Sequence, residues 1–344
     1  MRTTPLIAML NIADLVVGTE LASYDGSDED AARRSHVVLY HSHCADGFGA
    51  AWAIHRAALQ GLLGRSDVLY VPISYGNRDT VVGDLARELD GHKVEIHIVD
   101  FSVPVELFRS LVTVAQEVTY LDHHQGAADE LENARGVCRE KAIPAYIKFD
   151  NEHSGCVLAW EHYITEATRE PVPPVLACVE DRDLWRFRMP ETKAVCANVY
   201  SYPMTMSAWD QIAARPFEDV ADGGIDILRA HDKNVEQLTK DHNVSYYRFN
   251  GLRVAVVNCP WFVVSDVCNL LLTNQADIDI AAGFHVPQYG RAKWSFRARK
   301  GGIDLPTLLK QYGGGGHQAA AGVEFNDLMS DGAQAFYGAM HHEQ

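Results

Sequence analysis

No apolar run in this chain approaches the ~20 residues that a helix needs to cross a bilayer. None of its seven cysteines forms a C-x-x-C pair, and a chain of 344 residues is too large to need covalent staples. The thiols therefore read as reduced, mostly buried packing residues of a cytoplasmic protein. Positive charge is also scarce: 30 Lys and Arg face 46 Asp and Glu, for a formal net charge of −16. Phosphate neutralisation by Lys and Arg supplies most of the affinity for long nucleic acid, so short or small phosphorylated substrates fit this balance better. Internal repeats and low-complexity tracts are missing as well. Residues 1–17 are only moderately apolar and carry Arg2, Asn11 and Asp14, which does not read as a secretory signal.

The length exceeds what one hydrophobic core usually supports, and 47% hydrophobic residues suffice for two. From His36 onward apolar strand-like runs alternate with helical patterns: strands at 37–41, 67–71, 94–99 and 117–121, helices near 47–63, 80–89 and 103–115. This alternation predicts an α/β fold with a doubly wound parallel sheet. Short strands from 246 onward, interleaved with two helices, predict a smaller mixed α/β lobe. The expected division is an extension and connector at 1–35, a catalytic domain at 36–190, a helical linker at 191–245, a substrate-binding domain at 246–330 and a tail at 331–344.

Chemistry gathers at three strand ends. Val37–Tyr40 runs into His41, His43, Cys44 and Asp46; Val94–Val99 runs into Asp100; Val118–Leu121 runs into Asp122-His123-His124. Ligands in open α/β sheets collect in the crevice beyond the carboxyl ends of the strands. Carboxylates and imidazoles converging there point to a metal site. Far downstream stand four consecutive glycines, Gly313–Gly316, followed by His317. A strand places Ser295, Arg297 and Arg299 on one face just upstream, and together these residues could meet an anion through peptide N–H groups and guanidinium donors.

HSHCADGFGAAWA (His41–Ala53), IVDFS (Ile98–Ser102), LDHHQ (Leu121–Gln125), EDRD (Glu180–Asp183) and GGGGHQAAAG (Gly313–Gly322) occur in this order over about residues 36–325. The ordered set resembles the DHH-family phosphoesterases that carry a DHH-associated C-terminal domain. Nano-RNases, phosphoadenosine phosphatases and exopolyphosphatases are of this kind. The resemblance implies a two-lobed enzyme with two manganese ions, zinc, iron or magnesium being the alternatives, and hydrolysis of phosphoesters or phosphoanhydrides across an inter-lobe cleft. By the same resemblance Asp100 is expected to bridge the two metals, with His41, Asp46, His123 and Asp181 as further ligands and Asp183 as the substitute for Asp181. Asp122 is expected to fix the tautomer of a metal-binding histidine, and His124 to meet a substrate phosphate. Ser295, Arg297, Gly315, Gly316 and His317 are expected to grip the substrate, with Arg299 a further candidate.

One position departs from the family pattern. The first motif ordinarily carries a carboxylate two residues before Asp46, where this chain has Cys44, and the spacing to the histidine is one residue shorter, so His41 or His43 can fill that role. A thiolate ligand would tilt preference toward zinc or iron, whereas a buried packing cysteine would leave it unchanged. Ser154-Gly155 opens a helical run whose N–H groups either meet an anion or simply begin the helix, and Trp185 and Phe187 read as core. The expected substrate is a short oligonucleotide or small nucleotide, with polyphosphate or a catalytically weakened nucleotide-binding regulator as alternatives. Neither a membrane nor a long duplex is expected as a partner, and monomer and homodimer both remain open.

Overall fold

The computed structural model describes residues 35–343, apart from 65, 66, 76, 287–290, 326 and 328. Of the extension and connector expected at 1–35, residues 1–34 lie outside the described residues. The chain forms two compact units, one ending at Leu228 and the other comprising Arg229–Gln344.

The first unit is built on five parallel strands: β1 (Ser35–His41), β2 (Val68–Ile73), β3 (Val94–Val99), β4 (Ala115–Asp122) and β5 (Ala145–Phe149), in the order β2-β1-β3-β4-β5. Helices cover both faces, so strand residues of either parity are buried and the strands read as continuous apolar runs. Val37 and Leu39 join α2 (Arg78–Glu88), α3 (Val105–Val112) and α4 (Ala128–Lys141) in one core. Val38 and Tyr40 join α1 (Ala45–Leu59) and α5 (Gly155–Trp160) in the other. Each such fully buried Val or Leu contributes about 1.5–3 kcal/mol. The doubly wound expectation is met.

Helix α5 continues through a π turn (Glu161–Thr165) into α6 (Glu166–Thr168). The turn carries Tyr163, whose hydroxyl lies 2.7 Å from His97 Nδ1, and His97 Nε2 lies 2.9 Å from His36 Nδ1. This buried polar chain links the amino end of β1 to the middle of β3. Beyond α7 (Pro174–Asp183), helices α8 (Thr192–Ser201) and α9 (Met206–Ala213) place Val195, Val199, Trp209 and Ile212 in the same core as α1. The first unit therefore runs past 190, and the unit boundary falls inside α10 (Phe217–Leu238).

The second unit holds a seven-stranded mixed sheet of β6 (Val244–Phe249), β7 (Leu252–Asn258), β8 (Ile280–His285), β9 (Ala292–Ala298), β10 (Gly315–His317), β11 (Ala320–Phe325) and β12 (Met340–His342). Its order is β10-β11-β9-β8-β7-β6-β12, with only β7 and β8 parallel. Helix α11 (Val264–Asn274) covers one face, while α12 (Leu305–Leu309) and α13 (Asp331–Gly338) cover the other. Residues 331–344, expected as a tail, instead supply α13 and β12. Fully buried Phe336 anchors the helix, and β12 pairs with β6 so that His342 stands opposite Tyr247.

Candidate metal centre

In the strand order 2-1-3-4-5 the winding direction reverses between β1 and β3, which opens a crevice at their carboxyl ends. His41 ends β1, Asp100 follows β3, and Asp122 ends β4 ahead of His123 and His124. Asp100 has φ 57°, in the left-handed region that Asp tolerates better than most residues. Such a conformation costs free energy and persists where the surroundings enforce it. Two glycines form those surroundings. A Cβ on Gly47 would lie 2.3 Å from the His41 carbonyl oxygen and 3.0 Å from Asp100 Oδ2, and one on Gly155 would lie 2.5 Å from Asp100 Cβ.

Around this carboxylate the ligand-type atoms fall into two groups. His123 Nε2 lies 3.0 Å from Asp100 Oδ1, 3.5 Å from Asp46 Oδ2 and 3.6 Å from Asp183 Oδ2. One imidazole nitrogen cannot serve three carboxylates, so the group is matched to a cation rather than to a proton alone. On the other side His41 Nδ1 stands 3.6 Å from Asp100 Oδ2, and donor atoms of His41, Cys44 and Asp100 all lie within 4.8 Å of one another. Asp100 is 1% exposed, yet its Oδ2 has no hydrogen-bond partner among the described residues. Asp122 Oδ2 and Asp183 Oδ2 are buried and unbonded in the same sense. Buried, unsatisfied carboxylate oxygens are costly, and a bound divalent cation removes that cost. The residues present fit one.

Electrostatics agree. Burial pushes the Asp46 carboxyl up to about 8, helped by Asp100 and Asp183, and burial likewise raises Asp183. Burial also opposes ionisation of Asp100, but the His123 hydrogen bond and the neighbouring His41 and His124 imidazoles outweigh it and hold Asp100 below the usual carboxylate range. For His123, burial is overcome by Asp100, Asp183 and Asp46, and the imidazole is held well above its ordinary value. Burial and the same three carboxylates push the Cys44 thiol well up.

Asp46 is fixed by the start of α5: Ser154 Oγ donates to Oδ1 at 2.6 Å, Gly155 N to Oδ2 at 2.7 Å and Cys156 N to Oδ1 at 2.9 Å. The anion met by that helix start is thus a side chain of the protein itself. Asp122 Oδ1 accepts from the backbone N–H groups of His123 and His124 and lies 2.7 Å from His124 Nδ1, so it orients His124 rather than the His123 ring.

Asp181 does not join the cluster. Its carboxylate accepts from Arg188 N, Met189 N and Thr192 Oγ1, and so closes the loop after α7. Asp183, two residues on, is the carboxylate that faces His123. His43 is exposed, with φ 58°, and belongs to no potential metal-ligand group among the described residues. Trp185 and Phe187, expected in the core, lie in the left-handed loop after α7; Trp185 is 37% exposed and packs edge-on to Phe187 at 4.9 Å.

In the second unit, pairing puts His317 opposite Ala320 and Ala320 opposite Arg297, so the histidine and the arginine share one cross-strand row. Gly315, Gly322 and Ser295 form a parallel row on the same face. Arg297 donates to Ser265 Oγ at the start of α11. Arg299 has a different task. Lying beyond β9, it donates to the carbonyls of Leu272 and Gln275 and to Ile278, and so closes the end of α11. Gly316 has φ 140° and its absent Cβ would meet Ala320 O at 2.5 Å, so at least this glycine is required by strand pairing.

No family model matches the chain. It is 27% identical over 299 residues to the uncharacterized protein R106 of Acanthamoeba polyphaga mimivirus, covering 85% of this chain and 68% of that protein. Among solved structures it is similar to a pGpG-specific phosphodiesterase, PggH, from Vibrio cholerae (14% identity, 85% of this chain and 93% of that one, TM-score 0.44). It is also similar to an exopolyphosphatase-related protein from Bacteroides fragilis (14%, 89% and 91%, TM-score 0.46) and to an uncharacterized protein from Helicobacter pylori G27 (12%, 89% and 100%, TM-score 0.39). Among the described residues no helix is long and apolar enough to cross a membrane.

Proposed function

We propose that this protein is a metal-dependent phosphohydrolase acting on short oligonucleotides or small phosphorylated nucleotides. The observation that carries the reading is the single His123 nitrogen faced by three carboxylates within 3.6 Å. Asp46, His123 and Asp183 would hold one cation and His41 the other, with Asp100 reaching both through its two oxygens. Divalent cations at such a pair of positions, manganese in the family that the motifs resemble, polarise phosphoryl oxygens and acidify an attacking water.

The remaining groups position and neutralise. Asp122 on Nδ1 holds His124 above its ordinary pKa despite burial, so a protonated imidazole would stand by to stabilise charge developing on a phosphorus-bound oxygen. The α5 start keeps Asp46 aimed, so its carboxylate needs no reorganisation when substrate arrives. Arg297 and His317, with the Gly315–Gly316 backbone, would take the substrate's phosphate or sugar. The net charge of −16 favours small anions over long polymers, because only a local basic site is available to attract them.

The test is turnover of a panel of short RNAs, linear and cyclic dinucleotides, phosphoadenosine and polyphosphate by the purified full chain with manganese. Hydrolysis of a nucleotide substrate that disappears in Asp100→Asn is the expected result. Release of phosphate from polyphosphate alone would make the protein an exopolyphosphatase. Tight nucleotide binding with no turnover of any member would refute the enzyme and leave a regulator, a reading that the substitution of Cys44 for a carboxylate favours.

A further inference from the structure

The two halves of the metal centre are chemically unlike. Asp46, His123 and Asp183 offer two carboxylates and an imidazole, whereas His41, Cys44 and Asp100 offer one carboxylate, an imidazole and sulfur. Cys44 occupies the N-cap position of α1, where Ser, Thr, Asp or Asn is the ordinary residue. Three residues on, the absent Cβ of Gly47 would lie 2.3 Å from the His41 carbonyl oxygen, so the first turn of α1 packs directly against the end of β1. A second observation points to a ligand at the same place: Asp100 Oδ2, on a carboxylate 1% exposed, is aimed at the His41 side with no hydrogen-bond partner among the described residues.

We propose that Cys44 is a thiolate ligand of the cation held with His41 and Asp100, and that it makes this position selective for a borderline metal such as zinc or ferrous iron while its neighbour prefers manganese or magnesium. The inference rests on the two-cation reading given above. Tetrahedral coordination at Zn–S of about 2.3 Å and Zn–N or Zn–O of about 2.0–2.2 Å sets sulfur and its neighbours about 3.6 Å apart. Donor atoms already within 4.8 Å reach that spacing by side-chain movements of about 1 Å, without backbone change. Binding exchanges the S–H bond for an S–metal bond and releases the proton to solvent, with no change of oxidation state. Sulfur is the softest donor in the set, so it separates the two positions by metal type where two carboxylate-rich positions would compete for the same ion.

The experiment loads the full chain with cobalt(II) and records its near-ultraviolet and visible spectrum, then repeats this with Cys44→Ser. Wild type should show a sulfur-to-cobalt charge-transfer band that the variant lacks. In parallel, metal analysis after equilibration with equal zinc and manganese should find zinc at one of two positions in wild type. Cys44→Ser should bind zinc at least ~10–100-fold more weakly, and Cys44→Asp should take manganese at both. Two cobalt ions bound without a sulfur band, or zinc affinity unchanged in Cys44→Ser, would overturn the thiolate while leaving the two-cation centre standing. A chain that binds no cation at all would remove both. The wild-type spectrum decides the matter even if a variant folds poorly.

Discussion

Asp181 and Asp183 stand two residues apart, and the structure gives them opposite jobs, so their substitutions should fail in opposite ways. Asp181→Ala removes the acceptor of Arg188 N, Met189 N and Thr192 Oγ1. Thr192 is fully buried, so its hydroxyl loses its partner with little access to water, while Arg188 is an exposed residue whose part-buried N–H can turn to solvent. One stranded buried donor and one weakened backbone bond cost about 2–3 kcal/mol. In a unit of this size that lowers the melting temperature by roughly 5–10 °C. Asp183→Asn instead keeps the shape of the side chain and deletes a charge that burial beside Asp100 already disfavours. The metal-free protein should therefore melt no lower than wild type, while cation affinity at the His123 position falls by ~10–100-fold or more. Differential scanning fluorimetry without metal and calorimetric titration with manganese measure both quantities. If Asp181→Ala abolished cation binding at unchanged melting temperature, or Asp183→Asn bound manganese like wild type, the assignment of Asp183 to the cluster would be wrong.

Three further outcomes follow from the same geometry. Gly155→Ala would put a methyl 2.5 Å from Asp100 Cβ, so turnover should fall about 100-fold or more with far-ultraviolet circular dichroism unchanged; full activity would show that the close approach is dispensable. Manganese at 100 times its dissociation constant should stabilise the protein by about 2.7 kcal/mol, an increment that Asp100→Asn should largely abolish in a melting experiment. His97, buried and beside His36 and His162, has its pKa pushed down to about 3, so the folded ring stays neutral where the unfolded one protonates. Its contribution is complete above about pH 6.5 and is lost as pH falls, about 2 kcal/mol by pH 5. His97→Gln should flatten the decline in denaturation midpoint between pH 7 and 5 relative to wild type, and identical slopes would contradict the argument.

The parallel strands were legible because burial on both faces leaves them largely apolar, as in the uninterrupted run Val37–Tyr40 and in β3, where Ile96, Ile98 and Val99 flank one buried His97. β5 was not, since it lies at the sheet edge and Ala145 and Tyr146 are exposed, which leaves no apolar run to read. Helices α8 and α9 escaped notice for another reason. Pro190 and Pro203 punctuate the segment as a linker would be punctuated, and only tertiary packing of Val199 and Trp209 against the α1 core makes it part of the first unit. Strand β12 has three residues, too few for any periodicity, and exists because Phe336 anchors the helix before it.

Within the centre, residues at strand ends were readable because a strand's end fixes where its next side chain goes. His41, Asp100 and His123 follow directly from β1, β3 and β4 in a sheet whose winding reverses between β1 and β3. Asp181 and Asp183 instead lie in the last turn of α7, where rotation of 100° per residue puts neighbours two apart on nearly opposite sides. Sequence spacing alone therefore cannot choose between them; the choice is made by which carboxylate the loop after α7 consumes. Arg186 N and Phe187 N both bond to Asp181 O, and Trp185 and Phe187 take left-handed backbone, turning the loop back so that N–H groups of 188 and 189 reach the Asp181 carboxylate. Once Asp181 is committed to closing that loop, Asp183 is the carboxylate of the motif left to face the imidazole. The hydrogen-bond needs of a loop decide which acid in Glu180–Asp183 can meet a cation.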